Sequence, residues 1–172
     1  MKDSVERIID LLIERYGPAD PELNPTGVFK TYYNGDPEVI PAFNLPCAIV
    51  SQVKDDTTEG EMGEDDVTDQ IRIKLVMDKR DDYTGKIDPL NLTEKRLRDL
   101  VGRRNAQNEY DTGTIKRVLR DALLDGVTAV APTMQVEYGV NPRDTLGDSA
   151  NVEWTAEAWV TFSLQYSVDT YQ

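Results

Sequence analysis

Histidine is absent from this chain of 172 residues, and cysteine occurs once. The first absence removes the commonest general base, the usual partner of a serine or cysteine nucleophile, and the commonest zinc ligand. Together the two leave a zinc site with almost no ligands to use. A single cysteine also excludes an internal disulfide. Cys47 follows Pro46 and opens the apolar run Ala48-Ile49-Val50, the setting of a buried, inert thiol rather than a nucleophile. No catalytic residue, metal-ligand set or cofactor-binding motif is assigned. No apolar run approaches the roughly 18 residues of a membrane span. Acidic residues already lie in the first turn and no small-residue cleavage site follows, so no signal peptide is read and cytoplasmic synthesis is expected. Bases are scarce: 19 Lys and Arg against 32 Asp and Glu give a net charge of −13. That excess opposes non-specific DNA binding by the whole surface, and suits a surface that stays near DNA without adhering. With 39% hydrophobic and 30% charged residues, the chain is expected to be one domain, 1–172, with a real core and long wet loops.

What is present is dominated by 152–168. Every even position is apolar, from Val152 and Trp154 through Ala156, Ala158, Val160, Phe162, Leu164 and Tyr166 to Val168. The odd positions are polar except Trp159. This period of two predicts one strand with a buried face and a wet face. At about 3.3 Å per residue it would span roughly 55 Å, about three times the usual strand of about 5–6 residues. Such a length predicts that part of the strand leaves its own domain and is supported by a neighbouring subunit. A bulge or bend in the middle is the alternative. Trp159 on the wet face calls for a cover, either a partner or a helix of its own domain.

Taken in order, Val5, Ile8, Ile9, Leu12 and Ile13 predict a helix from Asp3 to Tyr16. Asp3 is its cap, Glu6 completes a capping box, and Gly17-Pro18 is its stop. A proline-rich connector with Pro18, Pro21, Pro25 and Gly27 leads to a short strand, Val28 to Tyr33. Asn34-Gly35-Asp36-Pro37 signals a turn, Glu38 to Ala42 is extended, and Leu45 to Lys54 reads as a strand. Val67 to Met77 is the next strand, with Asp69 interrupting its apolar side where it is expected to leave the core. Asp78 to Tyr83 reads as a solvated turn, with a partner contact as the alternative. A helix is predicted from Thr93, as cap, to Val101, with Leu92 stapling onto Leu97. After a polar loop, Arg103 to Gly113, a third helix runs from Thr114 to Leu124 with Ala122 and Leu123 on its apolar face. Met134, Val136 and Tyr138 precede a final hairpin loop, Gly139 to Ser149. The fold class is therefore α+β: a mixed, mainly antiparallel sheet flanked by an N-terminal helix and two central helices, closed by a long C-terminal β-hairpin.

Two segments concentrate charge. The run 55–66 carries Asp55, Asp56, Glu59, Glu61, Glu64, Asp65 and Asp66 with no base, and reads as a long hairpin loop. It stands open as a solvated loop, as a loop facing a DNA passage where like charge prevents adhesion, or as a divalent-cation site, although its spacing does not fit an EF-hand. Between Lys95 and Arg120 lie eight bases and three acids. This basic island reads as wet helix faces, as a surface that docks acid on a neighbouring copy, for instance the run 55–66, or as a DNA contact. Only Tyr110 interleaves with the bases, so single-strand stacking is not supported.

The string Asn34-Gly35-Asp36-Pro37 leads into Leu45-Pro46-Cys47-Ala48-Ile49-Val50. With the strand Ile71-Arg72-Ile73-Lys74-Leu75-Val76, its Lys79-Arg80-Asp81 exit and the closing strand Trp154 to Tyr166, it resembles the tail terminator family of long-tailed bacteriophages. The likeness is one of element order and covers most of the chain. It implies a virion structural protein without enzymatic activity or cofactor. The protein would form a hexameric ring on the last ring of the tail tube, halt tube polymerisation and offer its other face to the head-side connector. DNA would pass through the lumen without sequence-specific contact, and no membrane is involved. On this reading Trp159, Lys79, Arg80, Arg103, Arg104, Lys116 and Arg117 are candidate contacts to subunits, tube or connector, and the seven acids of 55–66 are lumen candidates. The alternatives are another neck or head-completion protein and, in a different class, a metal-dependent hydrolase built on the acidic run.

Overall fold

In a computed structural model of the chain, the structure describes residues 2–18, 27–61, 63–85, 88–143 and 153–169. The N-terminal helix α1 spans Ser4–Tyr16. Asp3 caps it by accepting from the Glu6 amide at 2.8 Å, and the Glu6 carboxylate accepts in return from the Asp3 amide at 3.1 Å. This is the expected capping box, in which two otherwise orphaned donors are satisfied reciprocally. Val5, Ile8, Leu11, Leu12 and Tyr16 form its buried stripe.

Five strands follow: β1 (Thr31–Asn34), β2 (Cys47–Glu59), β3 (Glu64–Asp78), β4 (Ala129–Arg143) and β5 (Glu153–Asp169). They form one sheet in the order β1-β2-β3-β5-β4. Only the β1–β2 pair is parallel; the other ladders are antiparallel. Helices α2 (Arg80–Tyr83), α3 (Thr93–Gly102) and α4 (Ile115–Asp121) lie between β3 and β4 in the chain. The predicted fold class is the observed one.

One face of the sheet carries the main core. Ala48, Val50, Ile71, Ile73, Leu75, Ala156, Ala158, Val160, Phe162 and Leu164 pack there with the apolar stripes of α1, α3 and α4. The opposite face carries a smaller cluster of Leu45, Cys47, Ile49 and Val76, joined by Tyr33 and Ile40. Cys47 is fully buried in it.

Strand β5 is continuous. It pairs with β3 without a register shift from Glu64↔Asp169 to Asp78↔Thr155. The bend allowed for in mid-strand is absent from β5 and occurs in β4 instead, between Val130 and Met134, where Ala131 has φ 49°. Two strands of the same chain flank β5 from Thr155 to Gln165, whereas from Tyr166 to Asp169 only β3 pairs with it among the described residues. What the period-two pattern missed is burial on its second face: Thr155 and Glu157 are buried, 4% and 7% exposed.

Several boundaries differ from expectation. The acidic run is not a loop. Strand β2 continues through Glu59 and β3 starts at Glu64, so 55–59 and 64–66 are paired strand. The third strand β5 decides this: its residues 165–169 pair with Glu64 to Thr68 and supply a second ladder, and three hydrogen-bonded strands persist where a lone two-stranded ribbon is marginal. The Gly60 amide donates to the Glu64 carbonyl at 2.9 Å at the turn, and a Cβ on Gly60 would meet that same oxygen at 2.9 Å. Glycine is therefore required there.

The strand expected at Val28 begins only at Thr31, and the turn expected at Asp78 to Tyr83 contains the short helix α2. Thr93 is not a cap. It is the first residue of α3, fully buried, and both its amide and its hydroxyl donate to Asp82 Oδ1, at 3.0 and 2.9 Å. A carboxylate from the preceding segment thus does the capping. Helix α4 stops at Asp121, three residues earlier than expected, and leaves Leu123 98% exposed. Thr114 is its cap. Strand β4 runs to Arg143 through what was expected to be hairpin loop; 144–149 of that loop, the expected strand start at 152 and 19–26 of the proline-rich connector lie outside the described residues.

Candidate assembly surfaces

Beyond the helix-covered body the sheet continues as a three-stranded arm made of the far half of β2, the near half of β3 and the end of β5. From Val53 to Glu59 every residue of β2 is exposed, a length of about 20 Å at strand rise. Cross-strand register puts acids on both faces. Asp55, Glu59, Asp65 and Asp69 share one; Asp56, Glu64, Asp66 and Asp169 share the other. Three like-charge pairs stand directly opposite each other: Asp55↔Asp69, Glu59↔Asp65 and Glu64↔Asp169. Such pairs destabilise a sheet. Among the described residues, only Lys54 reaches one of the seven acids of 55–66 as an ion pair, at Asp56, 2.6 Å.

Asp69 anchors this arm to the body. It was expected where the strand leaves the core, yet it is 3% exposed. Ser4, Gln52 (2.9 Å) and Tyr166 (2.8 Å) all donate to its carboxylate. Burial, reinforced by the Asp69 hydrogen bond, raises the Tyr166 phenol above its ordinary value. A buried carboxylate is tolerated when its lone pairs are filled, and here three elements, α1, β2 and β5, fill them.

The basic island sorts into paired and unpaired charges. Arg103 pairs with Asp111, Arg117 with Asp121 at 2.5 Å, and Lys95 with Asp99 at 2.6 Å. Arg104, Lys116 and Arg120 instead surround the Tyr110 ring, 5.5, 5.2 and 5.5 Å from its centroid. None of these three has a carboxylate partner among the described residues. A hydrogen bond from Arg104, with the charge of Lys116 beside it, lowers the Tyr110 phenol from its ordinary value. Arg120 and the organising role of Tyr110 were not singled out from the sequence; the signal available was a lone aromatic residue among eight bases.

The remaining predicted contacts divide in the same way. Lys79 is held within the chain by Glu94 at 2.5 Å, with Asp82 at 3.8 Å; Arg80 pairs with Asp78 at 2.5 Å. Trp159 lies on the sheet face opposite the helices, between Lys74 and Glu137 in register. It is half-buried and rests on Gly139, where a Cβ would come within 3.0 Å of the indole. No described α-helix lies on that face.

On the same face, Glu157 accepts from Asn141 at 2.8 Å and from Thr155 at 3.1 Å, with Lys74 at 3.8 Å. Glu157, Thr155 and Lys74 line an open groove of about 280 Å³ with Glu38, Ile40 and Pro142. No group of three or more His, Cys, Asp or Glu side chains among the described residues is placed to hold a metal ion. No described helix is long and apolar enough to cross a membrane. The sequence matches no family model and none of the curated proteins compared with it.

Proposed function

We propose that this chain is a virion structural protein of the tail terminator type, a subunit of a ring at the head-proximal end of a phage tail tube, with the head connector above and DNA in the lumen. One observation carries the reading: the acidic three-stranded arm that leaves the helix-covered body, acidic on both faces, with like charges set opposite each other. The charge of such an arm repels a duplex that must slide past. The element order of the sequence resemblance supports the same assignment. So does the half-buried Trp159 on a sheet face that no described α-helix covers, because Trp is enriched in protein–protein contacts.

Imaging of particles tests this reading. A ring of this protein between tube and connector is the expected result. Particles with the protein absent from the neck overturn it.

A further inference from the structure

We infer that the cation cluster at Arg104, Lys116 and Arg120 is a docking surface for the acidic arm of a second copy of this chain, so that copies associate head to tail. The inference deepens the proposed ring by naming one of its interfaces, and it rests on that reading only for the closure of the ring.

The argument starts from what is left unbalanced. Three of the island's eight cations, Arg103, Arg117 and Lys95, are neutralised by ion pairs inside the molecule. The three that converge on Tyr110 come from two segments, the loop after α3 and helix α4, yet share one ring and no carboxylate. Three cations gathered within about 6 Å of one ring repel one another, and the ring's negative face offsets only part of that. The arm has the mirror-image imbalance, with three like-charge acid pairs in register and Lys54 the sole ion-pair partner among the described residues. Each patch is relieved by the other.

Geometry then makes the contact intermolecular. Ser4, at the start of α1, donates to Asp69 at the root of the arm. Tyr16, at its end, donates to the Gly113 carbonyl in the loop that carries Tyr110. Thirteen helical residues, roughly 20 Å, separate the two. The arm projects the other way: Asp69 is at its root, whereas β1, to which the end of α1 is tied by Tyr32 (2.8 Å to the Gly17 carbonyl), lies beside Cys47 to Val50 at the far end of the sheet. The patches sit at opposite ends of one molecule and cannot meet within it. Unlike patches that match between copies form a heterologous contact, which generates a ring when the rotation closes. Opposite fields also steer the encounter.

Sedimentation of the full chain at about 0.02 M and about 0.5 M salt, either side of strong screening, tests the contact. Association at low salt that is lost at high salt is expected. Arg104→Glu/Lys116→Glu/Arg120→Glu and Asp55→Lys/Glu59→Lys/Asp65→Lys should each remain monomeric alone, and should associate when mixed in equal amounts. Circular dichroism checks that both fold, and the milder Arg104→Gln/Lys116→Gln/Arg120→Gln variant, expected to lose association in part, replaces the first if it does not. Unchanged assembly of the cluster variants, a mixture that stays monomeric, or a native chain monomeric at high concentration and low salt overturns the inference. So does a short DNA duplex bound through the cluster while assembly is unaffected by its loss. A ring seen on tails with the reversed cluster overturns this interface and leaves the tail terminator reading standing; charge-dependent assembly with no ring on any tail does the reverse.

Discussion

Tyr166 donates its phenolic hydrogen to Asp69 at 2.8 Å across the diagonal of the β3–β5 ladder. That bond, with those from Ser4 and Gln52, joins the charged arm to the body through one buried carboxylate.

Asp69→Ala is therefore expected to destabilise the fold by about 2–3 kcal/mol, because it strands three donors that the native carboxylate satisfies. Urea unfolding measures this. A loss below about 0.5 kcal/mol, the usual range for a surface change, would show that the node does not tie the arm down.

Phe162 and Leu123 make a contrasting pair. Phe162 is 2% exposed in the main core and Leu123 is 98% exposed past the end of α4. Phe162→Ala should cost about 3–5 kcal/mol through the cavity it leaves, and Leu123→Ala should stay within about 0.5 kcal/mol. Equal losses in thermal unfolding would contradict the early end of α4.

Trp159→Ala is expected to leave the monomer folded and to weaken ring formation or attachment to tails, since the indole sits on an uncovered sheet face against Gly139. Circular dichroism and tail-binding assays separate the two effects. Unfolding on this change would assign the indole to the core.

Neutralising the arm with Asp55→Asn, Asp56→Asn, Asp65→Asn and Asp66→Asn should raise affinity for duplex DNA at low salt and raise stability slightly as cross-strand repulsion falls. Unchanged DNA affinity in a gel-shift titration would put the arm away from the passage.

The Tyr110 phenol should ionise below its ordinary value, because Arg104 and Lys116 favour the phenolate. The sign follows from linkage: a folded-state value below the unfolded one gives a stabilising contribution at pH above the unfolded value, lost as pH falls through the folded value. Tyr32, which burial pushes up to about 12, provides the opposite reference. Tyrosine-selective NMR titration of the native chain and of Arg104→Gln checks this; a Tyr110 midpoint unmoved by the substitution would rule out the cation contact.

Local chemistry was legible where neighbours along the chain decide it. The Asp3–Glu6 capping box appears as expected. The stripe of α1 is shifted, with Leu11 and Tyr16 buried and Ile13 exposed. The alternation of β5 holds in its middle, where Ala156, Ala158, Val160, Phe162 and Leu164 are buried, but not at Trp154 and Val168, which are exposed. The acidic run was misread as a loop because charge and glycine content argue locally, whereas its strands exist through pairing with residues a hundred positions away. Asp69 looked like an exit from the core for the same reason: three distant donors make its burial affordable, and none is adjacent in sequence. The basic island was visible, but which of its members are spent on internal pairs and which three gather on Tyr110 was not.

The order of residues alone thus determined the elements, the sheet-forming alternation, the poverty in His and Cys, and the segregation of charge, since these depend on side-chain type and short-range period. The tertiary structure decided the strand lengths, the burial of Asp69, the face on which Trp159 lies and the separation of the two charged patches to opposite ends. Those depend on hydrogen bonds and packing between segments far apart in the chain, which no local pattern encodes.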